Sequence, residues 1–308
     1  MKQILGLSPD INHILRTLPM IALSDASVLI SGETGTGKEL IAQTLHEQSR
    51  RRDLEMVTIN CAALPTEDVE LDLFGKCDTD GTVTFRGRLL AAEGSTVFLD
   101  EVDALPLSVQ AKVLRFLEAG ECQLQGSHRL QVADVRILAA TSADLPALVK
   151  VGQFRADLYY RLQVVPIDLP PLRERSEDIP VLLKYYLREY AGNNALVRFT
   201  KEAEHCLLTY SWPGNVRELQ NFCQRMTLLH VGQLLPPESL PETIRPENGS
   251  SQHQFTLPAG GVDLARVELD LIEQALDMAA GNRSKAARLL GISRDTLLYR
   301  MQKYDLSP

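Results

Sequence analysis

A chain of 308 residues, 44% hydrophobic and 23% charged, has the composition of an ordinary folded protein with room for two or three domains. No apolar run approaches the ~20 residues that cross a bilayer, and the N-terminus has no signal-peptide layout. The five scattered cysteines (Cys61, Cys77, Cys122, Cys206, Cys223) form no Cys-x-x-Cys pair, which reads as a reduced, cytoplasmic chain with neither a disulfide framework nor structural zinc.

The net charge of −8 opposes indiscriminate binding of nucleic acid by the whole surface. It is unevenly spread. Residues 281–304 hold six basic side chains against the single acid Asp295, a local +5 that leaves −13 on the remainder. A basic tip on an acidic body predicts one small domain that meets phosphate backbones while the body does something else.

In chain order, apolar runs at residues 27–30, 56–59, 96–99, 135–139 and 164–169 alternate with helix-period segments such as residues 110–117. That alternation predicts an α/β domain with a parallel sheet over residues 1–170. Pro170-Pro171 breaks the pattern, and a smaller helical domain is expected over 171–235. Residues 236–262, rich in Pro, Gly, Ser and Glu, read as a linker, and 263–308 as a further helical domain.

After the first run comes Gly32-Glu33-Thr34-Gly35-Thr36-Gly37-Lys38-Glu39, opening a helical segment. This is the strand–loop–helix setting of a phosphate-binding loop: glycines let backbone N–H groups curve around an anion, and the helix N-terminus adds partial positive charge. Lys38 supplies a point charge for the terminal phosphates. Glu39 stands where Ser or Thr would usually reach Mg²⁺. The third run ends in Asp100-Glu101. There Asp100 is placed to hold Mg²⁺, directly or through water, and Glu101 to polarise the water that attacks the γ-phosphate of ATP.

Near the C-terminus, residues 281–300 have helix-turn-helix form. Ala286, Ala287, Leu289 and Leu290 are packing positions, Gly291 makes the turn and Ser293 caps the next helix. On that helix Leu297, Leu298 and Met301 are expected to face inward. Arg294, Thr296 and Arg300 are expected to face the major groove of double-stranded DNA, with Ser284 and Lys285 nearer phosphates. Upstream, Leu264, Val267, Leu271, Ile272, Ala275 and Leu276 form an amphipathic stripe.

The phosphate loop is followed by Thr58-Ile59-Asn60-Cys61-Ala62-Ala63-Leu64, Leu73-Phe74-Gly75, Phe154-Arg155-Ala156-Asp157-Leu158-Tyr159-Tyr160-Arg161-Leu162 and Trp212-Pro213-Gly214-Asn215-Val216-Arg217-Glu218-Leu219. Together these phrases resemble the central domain of bacterial enhancer-binding proteins, AAA+ ATPases that activate sigma-54 RNA polymerase. The C-terminal end resembles the Fis-type domain of the same family. Glu after the loop lysine is that family's habit. The resemblance implies that Asn60 senses the γ-phosphate and signals through Glu101, and that Thr141 is the first sensor, with Ser142 beside it where Asn is usual. It implies that Arg155 and Arg161 reach a neighbour's site as arginine fingers, and that Arg217 senses nucleotide from the lid. It further implies a hexameric or heptameric ring and a Fis-type dimer that reads an inverted repeat.

One element departs from the family. The Gly-Ala-Phe-Thr-Gly-Ala loop that contacts sigma-54 is missing, since Gly75 is followed by Lys76-Cys77-Asp78-Thr79-Asp80-Gly81-Thr82-Val83-Thr84-Phe85-Arg86. The chain also starts directly at the ATPase domain, so control is expected from a regulatory protein in trans, from expression, or from the ATPase domain itself. Two functions stay open. One is a DNA-binding regulator that binds or hydrolyses ATP and assembles into a ring without the usual sigma-54 contact. The other is an ATP-driven activator of sigma-54 polymerase acting through an altered loop.

Overall fold

The computed structural model describes residues 4–63, 68–78, 82–126, 130–245, 263–279 and 281–304, in two units that divide after Pro246. The first unit opens with α1 (Pro9–Ala22), β1 (Val28–Ser31), α2 (Lys38–Glu47), β2 (Val57–Asn60) and α3 (Val69–Phe74). A hairpin of β3 (Gly75–Cys77) and β4 (Val83–Arg86) follows, then α4 (Arg88–Ala91), β5 (Thr96–Asp100) and α5 (Leu107–Ala119). A second hairpin, β6 (Glu121–Gln123) and β7 (Leu130–Val132), precedes β8 (Arg136–Thr141), α6 (Leu145–Lys150), α7 (Ala156–Leu162) and β9 (Val165–Asp168).

The five apolar runs supply the five strands of one parallel sheet, in the order β2-β5-β8-β1-β9. Side chains alternate across it, as a period of two requires. Val28, Ile30, Phe98, Leu138 and Ala140 pack on one side with Ile11, Leu18, Ile41 and Leu45 of α1 and α2. Leu29, Val97, Leu99, Ile137 and Ala139 pack on the other with Leu73, Val109, Val113, Phe116 and Leu158 of α3, α5 and α7. Covered on both faces, the central strands read as unbroken apolar runs. Arg136, buried in β8, donates to the Ala22 and Ile21 carbonyls at 2.8 Å each, closing the C-terminal end of α1.

Register places Ser31 beside Thr141 and Asn60 beside Asp100. Both pairs lie at the carboxyl edge of the sheet, where open α/β sheets bind ligands at the switch in strand order. The phosphate loop leaves β1 at that edge.

The lid consists of α8 (Ile179–Ala191), β10 (Arg198–Phe199), α9 (Lys201–Thr209), α10 (Asn215–Leu229) and β11 (Leu234–Leu235), around a core containing Leu182, Leu207, Trp212, Leu219 and Phe222. The buried Trp212 indole donates to the Leu207 carbonyl at 2.9 Å. The expected linker begins later than residue 236. Leu240 and Ile244 are buried in the lid core, and Arg245 donates to the Leu240 carbonyl at 2.7 Å. Prolines 236, 237 and 241 hide this segment from a periodicity reading because it packs without a long helix. Residues 246–262 lie outside the described residues.

The second unit has α11 (Leu264–Met278), α12 (Arg283–Leu289) and α13 (Arg294–Lys303), packed through Ile272, Ala275, Ala286, Ala287, Leu297 and Met301. Each helix is capped by a side-chain oxygen: Asp263 accepts from Ala265 N, Asn282 from Ser284 N and Lys285 N, and Ser293 from Thr296 N. Gly291 takes φ +67° at the turn. No helix among the described residues is long and apolar enough to cross a membrane.

Candidate functional site

The phosphate loop turns on Gly35 and Gly37, at φ +82° and +110°. A side chain at Gly35 would strike the Gly214 carbonyl of the lid, so glycine there serves contact as well as conformation. Gly37 is the N-cap of α2, and Lys38, its first residue, is buried. The Lys38 ammonium donates to the carbonyls of Gly32 at 2.7 Å and Glu33 at 3.2 Å, and to the Ser142 hydroxyl at 2.8 Å. Burial pulls its pKa below the ordinary value, while the charges of Asp100, Glu101 and Asp103 push it back up.

Around Lys38 a cleft of about 410 Å³ is lined by Thr34, Gly35, Gly37, Glu39, Asn60, Asp100, Glu101, Ser142 and Arg217. Asp100 accepts from the Glu101 amide at 3.1 Å, and Glu101 sits in the left-handed region at φ +53°. Left-handed backbone at a non-glycine residue is strained, and such strain concentrates at functional sites. Asn60 faces the same cleft, yet its side-chain oxygen accepts from Ala62 N and Ala63 N, both at 3.0 Å, and so caps the following turn.

Of the two residues that end and follow β8, Ser142 lines the cleft and Thr141 does not. Thr141 is buried, and its hydroxyl donates to Asp103 at 2.6 Å, away from the cleft. Ser142 takes the facing position, within 3.2 Å of the Thr34 hydroxyl as well as bound to Lys38. Gly32 and Thr36 support the loop from behind: the Thr36 hydroxyl donates to the Glu33 carbonyl at 2.8 Å. Glu39 is exposed and accepts from Gln43 at 3.3 Å.

Arg155 and Arg161 are not in this cleft. Arg155 is the N-cap residue of α7 and pairs with Asp157 through two bonds of 3.0 and 2.8 Å. Arg161 donates to the Leu117 carbonyl, at 3.0 Å from Nη2. Arg217 does face the cleft, and its backbone N–H donates to the Gly35 carbonyl at 3.2 Å.

Sequence reasoning missed several groups that hold the loop. Asn215, fully buried at φ +53°, donates to the Thr34 carbonyl and the Glu33 carboxylate at 3.1 Å each and accepts from Leu172 N at 2.7 Å. Arg173 forms a two-bond pair with Glu33, at 2.9 and 2.7 Å. Arg175 donates to the Thr36 carbonyl at 2.9 Å. These residues come from the far side of a Pro-Pro break, where no local pattern links them to the loop.

The donor set fits Mg²⁺. Among the described residues no three His, Cys, Asp or Glu side chains gather as a metal cage. Mg²⁺ usually takes one or two carboxylates and completes its octahedron with waters and substrate phosphates. Asp100 and Glu101, at the mouth of an open cleft beside the phosphate loop, offer that arrangement.

In the second unit, Ser284, Lys285 and Arg294 are exposed. Ser293 and Thr296 are partly committed to each other, their hydroxyls 2.7 Å apart at the start of α13. Arg300 departs from expectation: it forms an ion pair with Glu268 of α11, which also accepts from the Tyr304 hydroxyl. The Glu268 carboxylate engages the guanidinium in a charge-assisted pair, with the Arg300 side chain still 40% exposed. Tyr299, 70% exposed, stands on the outer surface of α13 and was missed. The upstream stripe divides: Ile272 and Ala275 pack inside, whereas Leu264 and Leu271 are exposed, as is Met278 a further seven residues on, outside the stripe. Leu289, expected to pack, is exposed as well.

Three family models match the chain: "Sigma-54 interaction domain" over residues 4–168, "AAA+ ATPase lid domain" over 173–256, and "Bacterial regulatory protein, Fis family" over 263–304. The chain is 42% identical over 314 residues to the regulatory protein AtoC of Escherichia coli K12, covering 99% of this chain and 68% of AtoC. It is 41% identical over 304 residues to the transcriptional regulatory protein ZraR of Salmonella typhimurium LT2, covering 97% and 68%. Among solved structures it is similar to NtrX from Brucella abortus in complex with ADP (TM-score 0.72, 32% identity, 98% of this chain and 68% of that one). The ATP complex of NtrX matches equally well, at TM-score 0.72 and 31% identity over 98% and 69%. With its parallel-sheet core, helical lid and helix-turn-helix, the chain belongs to the sigma-54-type bacterial enhancer-binding proteins, AAA+ transcription regulators with a Fis-type DNA-binding domain.

Proposed function

We propose that this protein is a DNA-binding transcription regulator whose AAA+ unit binds ATP with Mg²⁺ and hydrolyses it at the interfaces of a ring. The observation that carries the reading is the single cleft that gathers Lys38, Asp100, Glu101, Ser142 and Arg217. In it the amides of the phosphate loop and the Lys38 ammonium bind the phosphates, exchanging the Gly32 and Glu33 carbonyls for phosphate oxygens. Asp100 would hold Mg²⁺, which would supply charge neutralisation to the bound phosphates. Glu101 orients and polarises the attacking water, and Arg217 follows the nucleotide from the lid. Arg155 and Arg161, solvent-facing and outside their own cleft, are free to serve a neighbour's. An arginine supplied in trans is worth roughly 10³–10⁵ in rate. The complexes of NtrX with ADP and ATP support the choice of nucleotide.

DNA contact falls to the second unit, with Arg294, Thr296 and Tyr299 toward bases and Ser284 and Lys285 toward phosphates. The exposed Leu264, Leu271 and Met278 favour pairing of two α11 helices, and so an inverted-repeat site.

The output is where two readings part. β3 and β4 form a short antiparallel hairpin joined through residues 78–82, and side chains at Gly75 or Gly87 would collide with its backbone. The segment from Lys76 to Arg86 lacks the Gly-Ala-Phe-Thr-Gly-Ala sequence, and that favours a regulator without the usual sigma-54 contact. The match of residues 4–168 to the sigma-54 interaction domain favours an activator that works through the altered hairpin. Transcription from a sigma-54 promoter, with this protein and hydrolysable ATP, decides between them: open-complex formation establishes the activator, and its absence while DNA binding persists establishes the other.

A further inference from the structure

Gln110 stands in α5 fully buried, a polar side chain in a layer that includes Val109, Val113 and Phe116. Its Nε2 donates to the Leu105 carbonyl at 2.8 Å and the Gln153 carbonyl at 3.3 Å, and its Oε1 accepts from the Arg155 amide at 2.9 Å. A methionine would fill the same space without the cost of desolvating an amide. What the amide joins is therefore informative.

On one side is the turn that follows Glu101. The Glu101 carbonyl accepts from Ala104 N at 3.0 Å, and the Val102 carbonyl accepts from Leu105 N at 3.2 Å. On the other side is the loop before α7, anchored by the buried Phe154 between Gln153 and Arg155. The turn closed on the Glu101 carbonyl continues through the Ala104–Leu105 peptide to the Leu105 carbonyl, and from there the Gln110 amide reaches the backbone of Arg155. The Arg155 side chain is 42% exposed and, among the described residues, is held by Asp157 two positions on, so the pair moves with the backbone at the start of α7. Arg161 rests on the Leu117 carbonyl of the same helix. Helix α5 thus touches both arginines of α7, meeting the Arg155 amide through Gln110 and the Arg161 side chain through the Leu117 carbonyl.

We infer that Gln110 is a positioning residue for Arg155, tying the placement of the arginine offered to a neighbour to the turn beside Glu101 in its own subunit. The inference rests on the proposed trans role of Arg155. A misplacement of about 1 Å can cost 10²-fold in rate, and Gln110→Met is expected to lose ATPase activity on that scale while still binding a fluorescent ATP analogue as the parent does.

Mixed rings test it. Glu101→Gln subunits bind ATP, fail to turn it over and offer an intact arginine. Mixing them with Gln110→Met subunits is expected to restore activity, because the sites of the latter then receive well-placed arginines. Mixing Gln110→Met with Arg155→Ala should restore nothing, since both lack a working finger. If Glu101→Gln rescues Arg155→Ala but not Gln110→Met, Gln110 acts within its own site and the inference is overturned. If Glu101→Gln rescues neither, the trans role of Arg155 itself fails. Should Gln110→Met not assemble, Gln110→Glu, which keeps the acceptor for the Arg155 amide, is expected to need less rescue than Arg155→Ala; equal need overturns the inference.

Discussion

Asn215 of the lid donates to the Glu33 carboxylate of the phosphate loop at 3.1 Å, across 182 residues of sequence. The same amide holds the Thr34 carbonyl and the Leu172 amide, so one buried side chain joins lid, hinge and phosphate loop. Asn215→Ala strands these partners. Thermal unfolding should register a loss of about 1–3 kcal/mol, and calorimetric titration a weaker affinity for ATP. A variant that binds ATP as tightly as the parent would show that the loop does not depend on the lid for its shape.

Hydrogen bonds from Arg173, and then from Asn215, hold the Glu33 carboxyl below its ordinary 4.5. A carboxylate whose folded pKa is depressed contributes stability that is complete above that ordinary value and is lost as pH falls through the lowered one. The pair is well exposed, so the contribution is modest. Melting curves of Arg173→Met and the parent should differ at neutral pH and converge in acid.

Lys38 gives the opposite pH signature. Burial lowers its pKa in the free protein, and the negative charge of bound phosphates would raise it. Affinity for ATP is then full while the free ammonium is protonated, and falls as pH rises through a value below the ordinary 10.5. Lys38→Ala should bind no nucleotide at any pH, as read by fluorescence titration.

Ser142 and Thr141 provide a paired comparison. Ser142→Ala removes the hydroxyl that meets Lys38, and should lower kcat about tenfold, the scale of one hydrogen bond to a charged group. Thr141→Val breaks the bond to Asp103, and should cost about 1 kcal/mol of stability with little change in KM. Steady-state kinetics and melting of the two variants check the assignment; a reversed pattern would return the sensing role to Thr141.

For DNA, Arg294→Ala should cost about 1–3 kcal/mol and relax specificity at one base pair, whereas Lys285→Ala should weaken all sequences alike and lower the salt slope by about one. Arg300→Ala should act mainly on the stability of the second unit, through Glu268. Leu271→Asp should separate α11 pairs and abolish cooperative binding to an inverted repeat, as seen by gel shift.

What the sequence revealed follows from how local each signal is. The phosphate loop and Asp100-Glu101 are contiguous, so composition and order disclose them. The central strands β1, β5 and β8 were legible because strands buried on both faces are continuously apolar, and the edge strands β2 and β9 by their short apolar runs within the alternation. Thr141 and Ser142 are adjacent, and only the local path of the chain beyond β8 decides which side chain meets Lys38. Asn215 and Gln110 act through partners 182 and 45 residues away, which no window contains. The pairing of Arg300 with Glu268 was hidden because it crosses between helices, and the lid ran on to Ile244 because apolar residues between prolines carry no helical period.

The seam between core and lid has a consequence for dissecting this protein. Arg173, Arg175, Asn215 and the Arg217 amide all grip the loop at residues 33–36, so the segment that holds phosphate is finished only when the lid has folded. A fragment cut at Pro170-Pro171 would keep every motif residue of the loop and lose its shape. Heat should melt core and lid in one transition, and nucleotide should raise that transition as a whole. For residues 4–245 the smallest piece that folds is then expected to be the smallest piece that binds ATP.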